Sequence, residues 1–235
     1  MIETENHLNY NYTPCVIECE ELRVVENKYG RAYISPTGKP LPSVTTVTGF
    51  EGKDGFDIWK RKNPQEMQRV CDRGNTIHSM MEHLLKNEEV VLCEQEDVNA
   101  LYRNLRDHVE TKIDNVYALE KHMWSDRIGL AGRVDCICDY DGKLSVVDFK
   151  GSTREKYESG IKGYFMQATA YALMFQELTG RKVEQIVILV SCETGTLQEF
   201  IKKPIEYVPG LLRAIHLYNQ WQELQPTTSL VSLDQ

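Results

Sequence analysis

Between Met67 and Leu85 apolar side chains recur at intervals of three and four, at Met67, Val70, Cys71, Ile77, Met81, Leu84 and Leu85. That is the period of one helix face, and Pro64 suits a first helical turn, so the pattern predicts a helix from Pro64 to about Lys86. A shorter helical stretch over 56–62 precedes it and another over 96–115 follows. The period then changes. Residues 118–125, 129–140 and 143–150 read as three strands, the last two joined at Asp141-Gly142, a dipeptide suited to a two-residue type I′ turn. A helix over 161–179 stops at Gly180. Strands over 183–191 and 197–202 follow, paired through a turn at Thr194-Gly195, and Pro209 opens a last amphipathic helix running to about Leu224. Upstream, residues 22–25 and 31–34 form a small hairpin. Residues 36–42, with three prolines, read as a loop, and the β-branched run 43–47 as a short strand. The tail from 225 to 235 lacks periodicity and reads as loose. Strand, strand, strand, helix, strand, strand predicts an α/β fold, a mixed β-sheet flanked by helices.

The hairpin carries a conflict of charge. With Asp141-Gly142 as its loop, the register sets Asp135 directly opposite Asp148. Opposed side chains share a face with Cβ atoms roughly 4.5–5.5 Å apart, where like charges destabilise. Lys150, two residues past Asp148, points the same way. Val134, Cys136, Cys138, Val147 and Phe149 fill the opposite face, and Ile137, Leu144 and Val146 make the carboxylate face apolar as well. A hairpin apolar on both faces belongs inside a sheet covered on both sides rather than on a solvated surface. Charges almost never go there unpaired. A divalent cation between the two aspartates would convert repulsion into binding, and without it one carboxyl pKa should rise.

The chain has 235 residues and a hydrophobic fraction of 41%, enough for one mixed α/β domain with a sizeable core. The expected organisation is an extension with its small hairpin over 1–50, a helical region over 54–115, the sheet core over 117–203, and a helix and tail over 206–235. The longest apolar run, 186–190, is far too short to cross a membrane. The start of the chain is acidic and polar, unlike a secretory signal or an Arg-rich transit peptide. Seven cysteines show no metal-ligand rhythm. Cys15 and Cys19 lack a second pair, and Cys136 and Cys138 share a strand face with core residues. Reduced thiols and no signal imply a cytoplasmic protein. A net charge of −8 argues against general affinity for nucleic acid. Binding needs only a local basic surface, however, and Lys60-Arg61-Lys62, Arg69 and Arg73 cluster before the hairpin, with Lys150, Arg154, Lys156 and Lys162 after its first half.

Three further features converge on the acid pair. His78 lies on the long helix, one turn beyond Gly74, bordering the apolar stripe. Gln167 and Tyr171 stand four apart on one helix face. Glu120 lies on the strand before the hairpin. Each alone has an ordinary packing explanation. Together, Gly132-Arg-Val-Asp135, Val147-Asp-Phe-Lys150 and Gln167-Ala-Thr-Ala-Tyr171, preceded by a helical histidine, resemble the RecB-like branch of the PD-(D/E)XK nucleases, nearest its mitochondrial and phage exonucleases. Leu41-Pro-Ser-Val-Thr45 and Trp59 add to the likeness, which covers about residues 40 to 175.

The resemblance implies a restriction-endonuclease-like sheet and a Mg²⁺ or Mn²⁺ ion held by His78, Asp135, Asp148 and the backbone carbonyl of Phe149, donors that suit hard cations. It implies that Lys150 orients the attacking water and stabilises developing negative charge, that Gln167 and Tyr171 hold the DNA strand or brace the site, and that Glu120 acts from outside the ligand set. Arg133 and Arg73 are also expected to contact the DNA. Two departures matter. Asp148 replaces the Glu of many relatives, and the four cysteines of the iron–sulfur members are missing, so no iron–sulfur cluster is expected. The implied function is a metal-dependent DNA exonuclease favouring single strands or ends, in DNA processing, replication or repair, in a bacterium or phage-infected cell. A structure-specific endonuclease and a non-catalytic DNA-binding subunit are the alternatives. The complete set Asp135, Asp148 and Lys150 disfavours the second.

Overall fold

A computed structural model of the chain describes residues 4–5, 9–13 and 21–225. The elements run β1 (Thr4–Glu5), β2 (Asn11–Tyr12), β3 (Arg23–Asn27), β4 (Gly30–Ile34), β5 (Pro40–Pro42), α1 (Val44–Thr48), α2 (Lys53–Lys62), α3 (Pro64–Leu85), β6 (Val90–Val91) and α4 (Glu96–Val109). Then come β7 (Ile113–Ser125), β8 (Leu130–Tyr140), β9 (Lys143–Ser152), α5 (Lys162–Thr179), β10 (Gln185–Cys192), β11 (Leu197–Lys202) and α6 (Val208–Glu223). Cys15, Cys19 and the tail beyond residue 225 lie outside the described residues.

Six strands form one sheet in the order β11-β10-β9-β8-β7-β2. β7, β8 and β9 are antiparallel neighbours, β9 and β10 are parallel, and β10 and β11 form an antiparallel hairpin. The sheet is therefore mixed, as the element order predicts. Strand β10 is buried along its whole length. Ile186, Ile188 and Val190 pack with Phe165 and Phe175 of α5 and Leu211 of α6, while Val187 and Leu189 pack with Ile77 and Met81 of α3 and Leu101 of α4. Helices on both faces explain why this strand is continuously apolar rather than alternating. At the β8–β9 turn Asp141 and Gly142 have φ of 49° and 72°, the two positive values a type I′ turn requires.

Three local expectations are corrected. Residues 43–47 form helix α1 and not a strand. Val44 and Val47, three apart, are both fully buried in the α5–α6 core, and packing of that face outweighs a weak β-branched preference. The proline-rich loop contains a strand, β5. It is the edge of the three-stranded sheet β3-β4-β5, a position where prolines are tolerated. Helix α4 ends at Val109 and not near 115, because Ile113 already pairs with Tyr140 and buries itself in the sheet.

Candidate active site

The β8–β9 ladder runs from Tyr140↔Lys143 to Cys136↔Val147 in the predicted register, and stops there. Asp135 and Asp148 lie one step beyond the last pair. The strands separate at the position where two carboxylates would have been pressed together. The Phe149 N–H donates to Asp135 Oδ2 at 3.0 Å, so the Asp135 side chain ties the two strands at the opening. On its other side, β7 pairs Leu119↔Cys136 and Lys121↔Val134, and the pair between them, Glu120 with Asp135, is missing. Glu120 has φ 45°, a left-handed backbone that few non-glycine residues adopt and that concentrates at functional sites. The face alternation also breaks here. Val134, expected beside Cys136 and Cys138, packs instead in the core of Ile137 and Val146.

Into this opening point an imidazole, three carboxylates and an ammonium. His78 Nδ1 of α3 lies 3.3 Å from Glu120 Oε1 and 3.5 Å from Asp135 Oδ1. The three residues offer ligand atoms within 4.8 Å of one another. Asp148 Oδ1 accepts a hydrogen bond from Lys150 Nζ at 2.8 Å. Its Oδ2 is 2.7 Å from the same ammonium, so both oxygens of this buried carboxylate face Lys150. One imidazole and the carboxylate oxygens of Glu120 and Asp135 are a donor set that fits a hard divalent cation, while Asp148, whose two oxygens both face Lys150, stands outside that group. Glu120, expected outside the ligand set, thus stands within reach of it. Phe149 is fixed through its N–H by Asp135.

The electrostatics carry the same tension. Burial raises the Asp148 pKa to about 6, the nearby Asp135 charge adds to the rise, and Lys150 only partly offsets it. Burial acts against the Lys150 ammonium, but Asp148 and Asp135 outweigh it and hold that pKa above its ordinary value. The His78 imidazole is likewise disfavoured by burial as a cation, and Asp135 and Glu120 reverse the balance, raising its pKa. A buried carboxyl with a raised pKa supports the fold while protonated, and that support is lost as pH rises through the folded value. We therefore predict that, in EDTA, urea melts of wild type and Asp148→Asn diverge with pH. Between about 4 and about 6 the wild type should lose roughly 3 kcal/mol relative to the variant. A pH-independent difference would contradict the assignment of the rise to Asp148.

The opening lies in the floor of a cleft of about 820 Å³. One wall is α3, from Val70 through Gly74 and His78 to Glu82. Another comes from the β3–β4 hairpin, through Val24, Glu26, Arg31 and Tyr33, with Ser43 and Thr45 beside it. Arg133, Gln167 and Tyr171 line it, and Arg133 Nε is held by Glu120 Oε2 at 2.8 Å. Arg73 is not brought to the cleft. Its side chain is buried and paired with Glu193, with Nη2 3.3 Å from the Gly151 carbonyl, so it clamps α3 to the ends of β9 and β10. The hairpin wall was not legible in the sequence, because it carries no chemical motif. Tyr164 was also missed. Its ring lies 5.3 Å from Lys150 Nζ, and only its place one turn before Gln167 could have signalled it.

Gly132 has a steric reason. A Cβ there would stand 2.6 Å from the Tyr171 hydroxyl and 3.1 Å from its ring. Gly132→Ala should therefore displace Tyr171 and cost about 1–3 kcal/mol, the usual toll of overpacking. Adding Tyr171→Phe should recover some of that loss in a denaturant melt, since the closest atom is the hydroxyl. No recovery would place the strain elsewhere.

Residues 52–223 match the family model of the PD-(D/E)XK nuclease superfamily. The chain belongs to that superfamily. Its mixed sheet flanked by helices is the restriction-endonuclease-like fold, and the use of divalent metals by this superfamily accords with the donor set His78, Glu120 and Asp135. Over 105 residues the chain is 30% identical to mitochondrial genome maintenance exonuclease 1 of Mus musculus, covering 45% of this chain and 29% of that protein. With the Homo sapiens protein of the same name it shares 29% identity over 126 residues, 51% of this chain and 33% of that one. It thus spans about a third of the length of these curated relatives. The solved structure of SSO0001 aligns with 47% of this chain and 52% of its own at 20% identity and a TM-score of 0.32, too low to add to the assignment. Among the described residues no helix is long and apolar enough to cross a membrane. The named relatives are mitochondrial proteins of animals and lend no support to a bacterial or phage setting.

Proposed function

We propose that the chain is a deoxyribonuclease that uses Mg²⁺ or Mn²⁺ to hydrolyse phosphodiester bonds from DNA ends, favouring single strands, in replication or repair. The observation that carries this reading is the opened ladder, where His78, Glu120 and Asp135 gather near the buried Asp148–Lys150 ion pair. The exonuclease and genome-maintenance aspects rest on the names of the similar proteins.

In this reading His78, Asp135, Asp148 and the Phe149 carbonyl hold the ion, and Glu120 either joins them or braces His78 and Arg133 at once. When bound, such an ion lowers the pKa of its water and neutralises charge on the scissile phosphate. Lys150 orients the attacking water through a compact positive charge and stabilises charge developing on the phosphate. The Tyr164 face and Asp148 restrict where that ammonium can go. Arg133, on the cleft rim, meets the DNA backbone, while the more deeply set Gln167 and Tyr171 position the strand above the acids.

The test is a time course on end-labelled single-stranded DNA, blunt duplex and closed circular single strands, with Mg²⁺, Mn²⁺ or EDTA. Degradation of linear strands that EDTA stops, with closed circles left intact, is the expected result. Cleaved circles would convert the reading to an endonuclease, and inert DNA with both metals would overturn it.

A further inference from the structure

Helix α2 is built as though some of its surroundings were missing. Its ten residues include no buried side chain, although Phe56, Ile58 and Trp59 are apolar and large. These three are 51%, 47% and 37% exposed. An isolated helix of this length, carrying Gly55 in its interior, is marginal in water, and helices in proteins normally draw their stability from a packed apolar face. Here that face is bare. Phe56 and Trp59, one turn apart, already lie nearly parallel, with ring centroids 5.9 Å apart and planes 25° from each other. The last turn is Lys60-Arg61-Lys62, so the helix has four cations against two acids in a chain of net charge −8. Exposed rings beside a run of cations fit a polyanion that also presents flat apolar faces.

The position of α2 agrees. It is the stretch of chain between two walls of the cleft, leaving the Ser43–Thr45 side and entering α3, which lines the cleft from Val70 onward. From Pro64 to Val70 the helix rises only about 9 Å, so the cationic turn stands close to that end of the cleft.

We propose that α2 is a stacking platform for single-stranded DNA, with unpaired bases laid on Phe56 and Trp59 and the backbone running along Lys60, Arg61 and Lys62. Duplex DNA, whose bases are already stacked on one another, gains nothing from the rings. Base–aromatic stacking is sequence-tolerant, so the platform raises affinity for any unpaired strand. The inference names the substrate form of the proposed nuclease and rests on that reading.

The experiment uses the full chain in EDTA, which separates binding from cleavage. A fluorescent oligothymidylate and a blunt two-strand duplex are titrated against wild type, Phe56→Ala/Trp59→Ala and Trp59→Phe, with tryptophan emission followed in parallel. The quenching that Trp59→Phe removes belongs to Trp59, since Trp124 and Trp221 also emit. Both rings are exposed, so the variants should keep the wild-type melting temperature. The double variant should bind the single strand at least about tenfold more weakly, given the usual worth of a stacked base. Its duplex affinity should stay unchanged, and Trp59→Phe should keep most of the single-strand affinity. Equal losses on both DNAs, or no loss on either, would overturn the platform, the second being the result if the rings serve a protein partner. Metal-dependent hydrolysis of a small chromogenic phosphodiester, too short to reach α2, should be unchanged by the double variant. If wild type lacks that hydrolysis and DNA cleavage alike, the nuclease reading fails on its own, whatever the binding titrations give.

Discussion

Asp148→Asn is expected to leave the chain folded and able to bind DNA while removing metal-dependent cleavage. The side chains are nearly isosteric, and the Asn oxygen can still accept the Lys150 hydrogen bond that Asp148 Oδ1 now receives. What disappears is the charge on a buried carboxylate beside His78 and Asp135. A catalytic ion contributes several kcal/mol of charge stabilisation, so losing ~4 kcal/mol of it would slow cleavage by about a thousandfold. The measurement is single-turnover cleavage of end-labelled DNA at saturating Mg²⁺, with oligonucleotide affinity read in EDTA. Full activity in the variant would remove Asp148 from the site.

Lys150→Ala should separate chemistry from metal binding. The ammonium contacts Asp148 and not the group His78, Glu120 and Asp135, so donors for an ion survive its loss. The rate should fall by about 10²–10³, the usual effect of removing one preorganised charge from a developing oxyanion. The affinity for Mn²⁺, measured by calorimetry well above pH 6, should change only a few-fold. At lower pH the variant should bind metal less well than wild type, because Lys150 is what holds the Asp148 pKa down against burial and Asp135. Abolished metal binding at high pH would mean that the lysine helps to assemble the ligand set, and that its role has been misassigned.

The sheet was legible because its signals are local. The Asp141-Gly142 turn fixed the hairpin register, Gly180 ended α5 with φ 73° as expected, and the apolar run 186–190 marked a strand. The same register put Asp135 opposite Asp148, which is right as arithmetic and wrong as pairing. Periodicity describes a ladder that continues, and it cannot say where electrostatic and steric conflict will force neighbouring strands apart. Val134 was placed on the wrong face for that reason. The position of Glu120 escaped because its left-handed backbone has no sequence marker, unlike a glycine. Arg73 was read as a DNA contact from its neighbours in sequence, whereas Glu193, 120 residues away, takes its charge. The α1 segment shows the limit from the other side, since only a three-dimensional core could reveal that Val44 and Val47 share a face.

The Arg73 clamp bears on how such a molecule can change. By pinning α3 to the strand ends one and a half turns below His78, it makes the imidazole belong to the same rigid frame as Asp135, Asp148 and Lys150. The β3–β4 hairpin, which supplies a whole side of the cleft, contributes none of those groups. It rests on the frame through Tyr33, which packs with Leu41 of β5 and Ala131 of β8, and at its turn through Tyr29, which meets Tyr218 and Trp221 of α6. The chain thus keeps its reactive hardware and its fitting room in separate stretches of sequence, so the hairpin can be redrawn to admit a different guest without retuning the acids beneath it.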